Sequence, residues 1–192
     1  MNTQFADKLQ MQNMLFSALS NMFGKEVPLY DKSLLVNQVC NETVCSLLST
    51  LHAGFTITAG QLEKTSGERH GAIRIGKPEE YRWVSGFFAA FALEPHNFYD
   101  MTNVGNKSQP IIATAFRSSL NPEHRIFCSL LMTDYFDPQT RQRIESLLAT
   151  REVFSRRAKE LILKNQEQGG LSGDEARELI NEGVTRIFKW TG

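Results

Sequence analysis

The 192-residue sequence contains no apolar run approaching the roughly 20 residues that cross a bilayer, so no membrane partner is expected. Its first residues, Met1-Asn2-Thr3-Gln4-Phe5-Ala6-Asp7, lack a basic segment followed by an apolar one. A secretory signal is therefore not expected, and the reading places the protein in the cytoplasm. Net charge is absent too: 21 Lys and Arg balance 21 Asp and Glu. That balance argues against nucleic acid or an anionic lipid surface as the main partner. Cysteine is scarce, with three in all, and an odd count does not make a disulfide scaffold. Cys40 and Cys45 are five apart, and no second pair exists to complete a zinc site, so reduced, partly buried thiols are expected. No His-Glu-x-x-His, Gly-rich phosphate loop or Gly-x-Ser-x-Gly elbow occurs, which removes the commonest metalloprotease, nucleotide and hydrolase readings. Internal repeats and low-complexity tracts are also missing.

What remains is an ordinary folded composition, 41% hydrophobic and 22% charged, with enough length for a real core. Phe5, Leu9, Leu15, Leu19 and Met22 recur at helical spacing, predicting a helix over 4–23 that Gly24 stops. After Pro28 a second helix is expected over 31–51. The run Ala72-Ile73-Arg74-Ile75 between Gly71 and Gly76 predicts a strand over 70–75. Pro78-Glu79-Glu80 opens a helix with acidic residues at its positive end, carrying Val84, Phe87, Phe88 and Phe91 as core positions, with Pro95 beyond its end. Strands are expected over 96–101, 111–116 and 126–133, with turns around Gly105 and Asn121-Pro122-Glu123. The last sixty residues read as helices, over 139–148, 153–165 and from Ser172 to about Phe188. Ser172 and Glu175 form a capping signature, and Leu171 can pack on Ala176. Ile187, Phe188 and Trp190 are apolar enough to require packing against this domain or further sequence. The fold class is thus α+β: a helical segment over 1–66, a strand-helix-strand-strand-strand module over 67–136, and a helical segment over 137–192.

The chemistry concentrates in one strand. Alternation puts His70, Ala72 and Arg74 on one face, with Ile73 and Ile75 on the other. Their outer Cα atoms lie roughly 13 Å apart, so two inward-leaning side chains reach one small ligand. A neutral imidazole suits iron, zinc or copper, and a guanidinium grips a carboxylate through two parallel hydrogen bonds. A strand-edge histidine with a surface Arg–carboxylate pair would read the same way, and the two readings stay open at this stage. The other histidines offer less. His52 ends a helical run, His96 enters a strand, and His124 is expected to be solvated in its turn. Arg151, Arg156, Arg157 and Lys159, interleaved with Glu152 and Glu160, read as a solvated helix face.

Several strings resemble the 2-oxoadipate dioxygenase/decarboxylase (2-hydroxyglutarate synthase) family. They are Phe16-Ser17-Ala18-Leu19-Ser20-Asn21-Met22, Val27-Pro28-Leu29-Tyr30, Glu68-Arg69-His70-Gly71-Ala72-Ile73-Arg74, Tyr99-Asp100, Ala113-Thr114-Ala115-Phe116-Arg117, Arg125-Ile126-Phe127-Cys128-Ser129-Leu130-Leu131 and Gln168-Gly169-Gly170-Leu171. The Glu-Arg-His-Gly-Ala-Ile-Arg string is the most specific of them. The resemblance implies a vicinal-oxygen-chelate-like fold of βαβββ modules. It also implies an Fe(II) enzyme held by two histidines and a glutamate, which converts 2-oxoadipate and dioxygen into 2-hydroxyglutarate and carbon dioxide in lysine catabolism. It makes His70 the first metal ligand and Arg74 the substrate-carboxylate site. The second histidine and the glutamate have no match in this sequence, so the expectation is that this chain holds part of the site and that a C-terminal half or a partner chain completes it. The alternatives are a metal-free small-acid-binding module or the structural half of a split metalloenzyme.

Overall fold

The computed structural model describes residues 5–66, 70–103, 109–121 and 123–189, with backbone alone for 63–66 and 70. The turn expected around Gly105, the Gly67-Glu68-Arg69 string and Trp190 lie outside the described residues. The chain forms two compact units, residues 1–15 with 70–192, and residues 16–69.

The helices of the amino-terminal part are α1, Lys8–Glu26, α2, Tyr30–Leu51, and α3, Ala59–Ser66. The unit 16–69 turns sharply between α1 and α2, where Leu29 takes a left-handed φ of 71°. Tyr30 steadies that turn through its hydroxyl, 3.2 Å from Ser20 Oγ, and through its ring, 5.9 Å from Phe23. Helix α3 was not expected from the sequence. Its eight residues are too few to show a helical period, and its start is fixed by Thr58, whose Oγ1 accepts from Gln61 N.

The larger unit contains the expected module in order: β1, His70–Ile75; α4, Tyr81–Ala90; β2, Leu93–Met101; β3, Ile111–Ser118; β4, Arg125–Leu131. The sheet order is β1-β4-β3-β2, with β1 parallel to β4 and the other pairs antiparallel. Glu80 makes the turn from β1 into α4. Its buried carboxylate accepts from Gly76 N at 3.2 Å and Lys77 N at 3.1 Å. Pro95, expected in a linker, instead lies inside β2 at an irregularity between Pro95 and Asn97, a position where a strand tolerates a residue without a donor.

One face of the sheet carries the core. Ile73, Ile126 and Phe116 are fully buried with Phe87, Phe88 and Phe91 of α4. Phe88 stacks at 4.4 Å from Phe116, and Phe87 and Phe88 both meet Phe188. Ile187 and Phe188 therefore pack on this domain. They reach it because α7 loosens into a π turn over Gly183–Ile187, closed by Phe188 N donating to Gly183 O at 2.8 Å.

The other carboxy-terminal helices are α5, Pro138–Thr150, α6, Arg156–Gln168, and α7, Gly173–Glu182. Asp137, Ser155 and Ser172 cap them, the last with Glu175 as the sequence signature requires. Val153 and Phe154, expected inside α6, precede its cap as buried residues of a bend. The charges of α6 are paired, exposed Arg157 with Glu178 and half-buried Lys159 with Glu152. Helix α6 approaches α4 closely because Gly86 has no side chain. A Cβ there would sit 2.4 Å from Ile162 Cγ2.

His124 overturns the expectation of a solvated turn, since only 9% of it is exposed. Gln12 Nε2 donates to Phe91 O and Ser118 Oγ, both at 2.8 Å. This fixes the amide, so Gln12 Oε1 is the acceptor 2.8 Å from His124 Nδ1, and Nδ1 carries the proton. Ser118 Oγ in turn accepts from Leu120 N and Asn121 N. Four segments of this unit thus share one buried polar knot. Gln12→Leu strands its members, each at about 1–3 kcal/mol. The expected readout is a lower urea midpoint at unchanged slope.

Candidate active site on the open face of the sheet

The register decides which side chains meet. In β1, Ile73 and Ile75 are buried on the helix side, while Ala72 is half-buried and Arg74 exposed on the other. Pairing extends that open face across the sheet in rows. Ala72 pairs with Phe127, Phe127 with Ala115, and Ala115 with Asn97; Arg74 pairs with Ser129, Ser129 with Ala113, and Ala113 with Tyr99. The centre is floored by small residues, Ala72, Ala113 and Ala115. Across this floor Tyr99 reaches Phe127, their ring centroids 6.1 Å apart. Small side chains at the centre, half-buried Ala72 with buried Ala113 and Ala115, and the rings beside them make this face low and apolar next to the row of Arg74.

Arg74 therefore stands where the sequence places it. Its backbone is held at the strand end, where its carbonyl accepts from Arg151 Nη2 at 3.1 Å. Partial burial lowers its pKa from the ordinary guanidinium value, while arginine stays charged at any working pH. An exposed, partly desolvated guanidinium suits a carboxylate ligand. His70 is the first residue of β1, with its backbone opposite Arg125 of β4. Its imidazole lies outside the described residues.

For a metal ion the described residues do not provide a complete donor set. No three His, Cys, Asp or Glu groups come together among them. Cys128 pairs with Ile73, facing the helices rather than the open face. Burial, reinforced by the charge of Glu80, pushes its thiol up to about 12, so it stays protonated and is a poor ligand. His52 and His96 are exposed, and His124 is tied to Gln12. Tyr99, Phe127 and Ser129 join the face only through pairing, and no local spacing in the sequence marks them as neighbours of Arg74. No described helix is long and apolar enough to cross a membrane.

A family model described as 2-oxoadipate dioxygenase/decarboxylase matches residues 15–192. A 2-oxoadipate dioxygenase/decarboxylase of Pseudomonas putida is 35% identical over 180 residues, covering 91% of this chain and 38% of the relative. The protein of that name in Escherichia coli K12 is 32% identical over 98% of this chain and 42% of its own length. The chain thus spans about two fifths of these relatives. Among solved structures, the hydroxyglutarate synthase of Pseudomonas putida superposes with a TM-score of 0.84 at 33% identity, over 100% of this chain and 44% of that one. The same enzyme in complex with 2-oxoadipate gives the same score and identity.

Proposed function

This chain belongs to the 2-oxoadipate dioxygenase/decarboxylase family, and from that premise we propose that it forms the acid-binding part of a cytoplasmic iron(II) enzyme of lysine catabolism. The reaction is 2-oxoadipate plus dioxygen giving 2-hydroxyglutarate plus carbon dioxide. Both oxygen atoms are accounted for, one carbon leaves as carbon dioxide, and no further reductant is needed. The observation that carries the reading is the placement of Arg74 on the open, apolar-floored face of a βαβββ sheet.

The roles follow from the chemistry of the residues. Arg74 takes a carboxylate of the 2-oxo acid and fixes its orientation, which lowers the entropic part of the barrier. Ala72 and the two alanines of β3 leave room for the carbon chain, and Tyr99 with Phe127 keeps water off it. We assign His70 as the one metal ligand this chain supplies, and iron would bring dioxygen activation. One ligand does not hold an iron ion by itself, so further donors belong outside the described residues.

The second reading is a metal-free module that binds a small acid through Arg74 on the same face. An oxygen electrode and mass spectrometry separate the two. Iron-dependent oxygen uptake with 2-hydroxyglutarate formed by the full-length protein, abolished there by His70→Ala, is the expected result for the enzyme. Acid binding without oxygen uptake supports the module, and normal turnover by His70→Ala removes the ligand assignment.

A further inference from the structure

We infer that the outward face of α2 is a docking surface for a second copy of this chain, with two α2 helices lying antiparallel about a two-fold axis. Helix α2 is covered on one side only, and it has no buried residue. Its half-buried residues, Tyr30, Leu34, Asn41, Cys45 and Leu48, fall within an arc of about 60° when each residue turns the helix by about 100°. Six large apolar side chains lie outside that arc: Leu35, Val36, Val39, Val44, Leu47 and Leu51, each at least 50% exposed. They share about half of the helix circumference. Single exposed apolar residues are ordinary, but six on one side of one helix form a patch. Charge is scarce there too. From Ser33 to Leu51 the one charged residue is Glu42, at the edge of the patch, where its carboxylate accepts from Gln38 Nε2 at 2.9 Å. Depletion of charge marks the centre of an interface rather than a solvated helix face.

The symmetry of the pattern selects a second copy as the occupant. Val36, Cys40, Thr43 and Leu47 are spaced four, three and four residues apart, the seam of a helix pair. All four are exposed. Thr43 joins the seam without a stranded hydroxyl, because its Oγ1 donates to Val39 O at 2.8 Å. The spacing reads the same in both directions about a point between Asn41 and Glu42. When two copies lie antiparallel about that point, Val36 of one meets Leu47 of the other, Cys40 meets Thr43, and Val39 meets Val44. An isologous contact needs this self-complementarity, whereas docking an unrelated sequence does not. The strip from Val36 to Leu51 is about 22 Å long on each helix, at the small end of specific interfaces, so the dimer is expected to be weak.

The test is analytical ultracentrifugation of the whole 192-residue chain under reducing conditions. The expected result is a monomer–dimer equilibrium within about 10 μM to 1 mM, the range of a weak interface. Val36→Glu and Leu47→Lys each weaken it about tenfold or more, because each sets a charge against an apolar side chain. Mixed in equal amounts, the two variants regain association. One contact then pairs the introduced carboxylate with the introduced ammonium, and the other keeps its Val–Leu pair. Both substitutions are at exposed positions and bring in good helix formers, so the circular dichroism of each variant matches the wild type. A chain that stays monomeric throughout this range overturns the inference and leaves the face to a different occupant. A dimer that survives both substitutions lies on another surface and overturns it as well. Loss in each variant with no recovery on mixing overturns the antiparallel pairing, since parallel helices set position 36 against position 36.

Discussion

Phe88→Ala lowers the stability of the larger unit by about 3–5 kcal/mol, the range for removing a fully buried aromatic side chain. The site explains the size of the effect. Phe88 is fully buried, 4.4 Å from Phe116 on β3, 5.6 Å from Phe87 on its own helix and 6.4 Å from Phe188 beyond the π turn. One ring therefore joins the sheet, α4 and the carboxy-terminal end, and its loss leaves a hole between them that close-packed neighbours cannot collapse to fill. Folded domains stand only about 5–15 kcal/mol above their unfolded state, so the variant loses a large part of its margin. Urea unfolding followed by circular dichroism reads this as a lower midpoint. Phe98→Ala is the control. That side chain is 67% exposed, and its change stays within about 0.5 kcal/mol. Equal losses in the two variants would contradict the placement of the core.

Arg74→Gln is the second large effect, and it falls on binding rather than folding. Hydrogen bonds to a charged group contribute about 1.5–3 kcal/mol each, and a bidentate pair holds a carboxylate through two of them. Loss of about 2–3 kcal/mol weakens 2-oxoadipate by roughly 30- to 150-fold. The side chain is exposed and packs no core, so the unfolding midpoint stays within about 0.5 kcal/mol of the wild type. Arg74→Lys keeps the charge and loses the fork, and it recovers only part of the affinity. Calorimetric titration measures all three. Wild-type affinity in Arg74→Gln would remove the guanidinium from the site.

The strand and its chemistry are legible because local signals agree there. Gly71 and Gly76 bracket a run whose isoleucines alternate with Ala72 and Arg74, and that alternation puts the isoleucines against the helices and Arg74 on the open face. The cap at Ser172 and the helical start at Pro78 are legible for a similar reason, since a helix end is satisfied by residues within one turn. His124 is not legible. Its chain neighbours form a polar turn, and what buries it is Gln12, 112 residues away. The pairing of Arg117 with Arg125 escapes in the same way. Arg117 and Arg125 are eight residues apart with a turn between them, and nothing in that spacing states which residue faces which.

By itself the sequence determined the order of elements from β1 to β4, the buried faces of β1 and α4, and an imidazole and a guanidinium on one strand. Short-range periodicity and capping encode these, because they depend on bonds within a few residues. Only the tertiary structure decided that alanines floor the open face, that Tyr99 reaches Phe127 across it, and that Arg125 aligns with His70. Those pairings come from hydrogen-bond register between strands that packing brings together, and register is settled by the whole sheet at once.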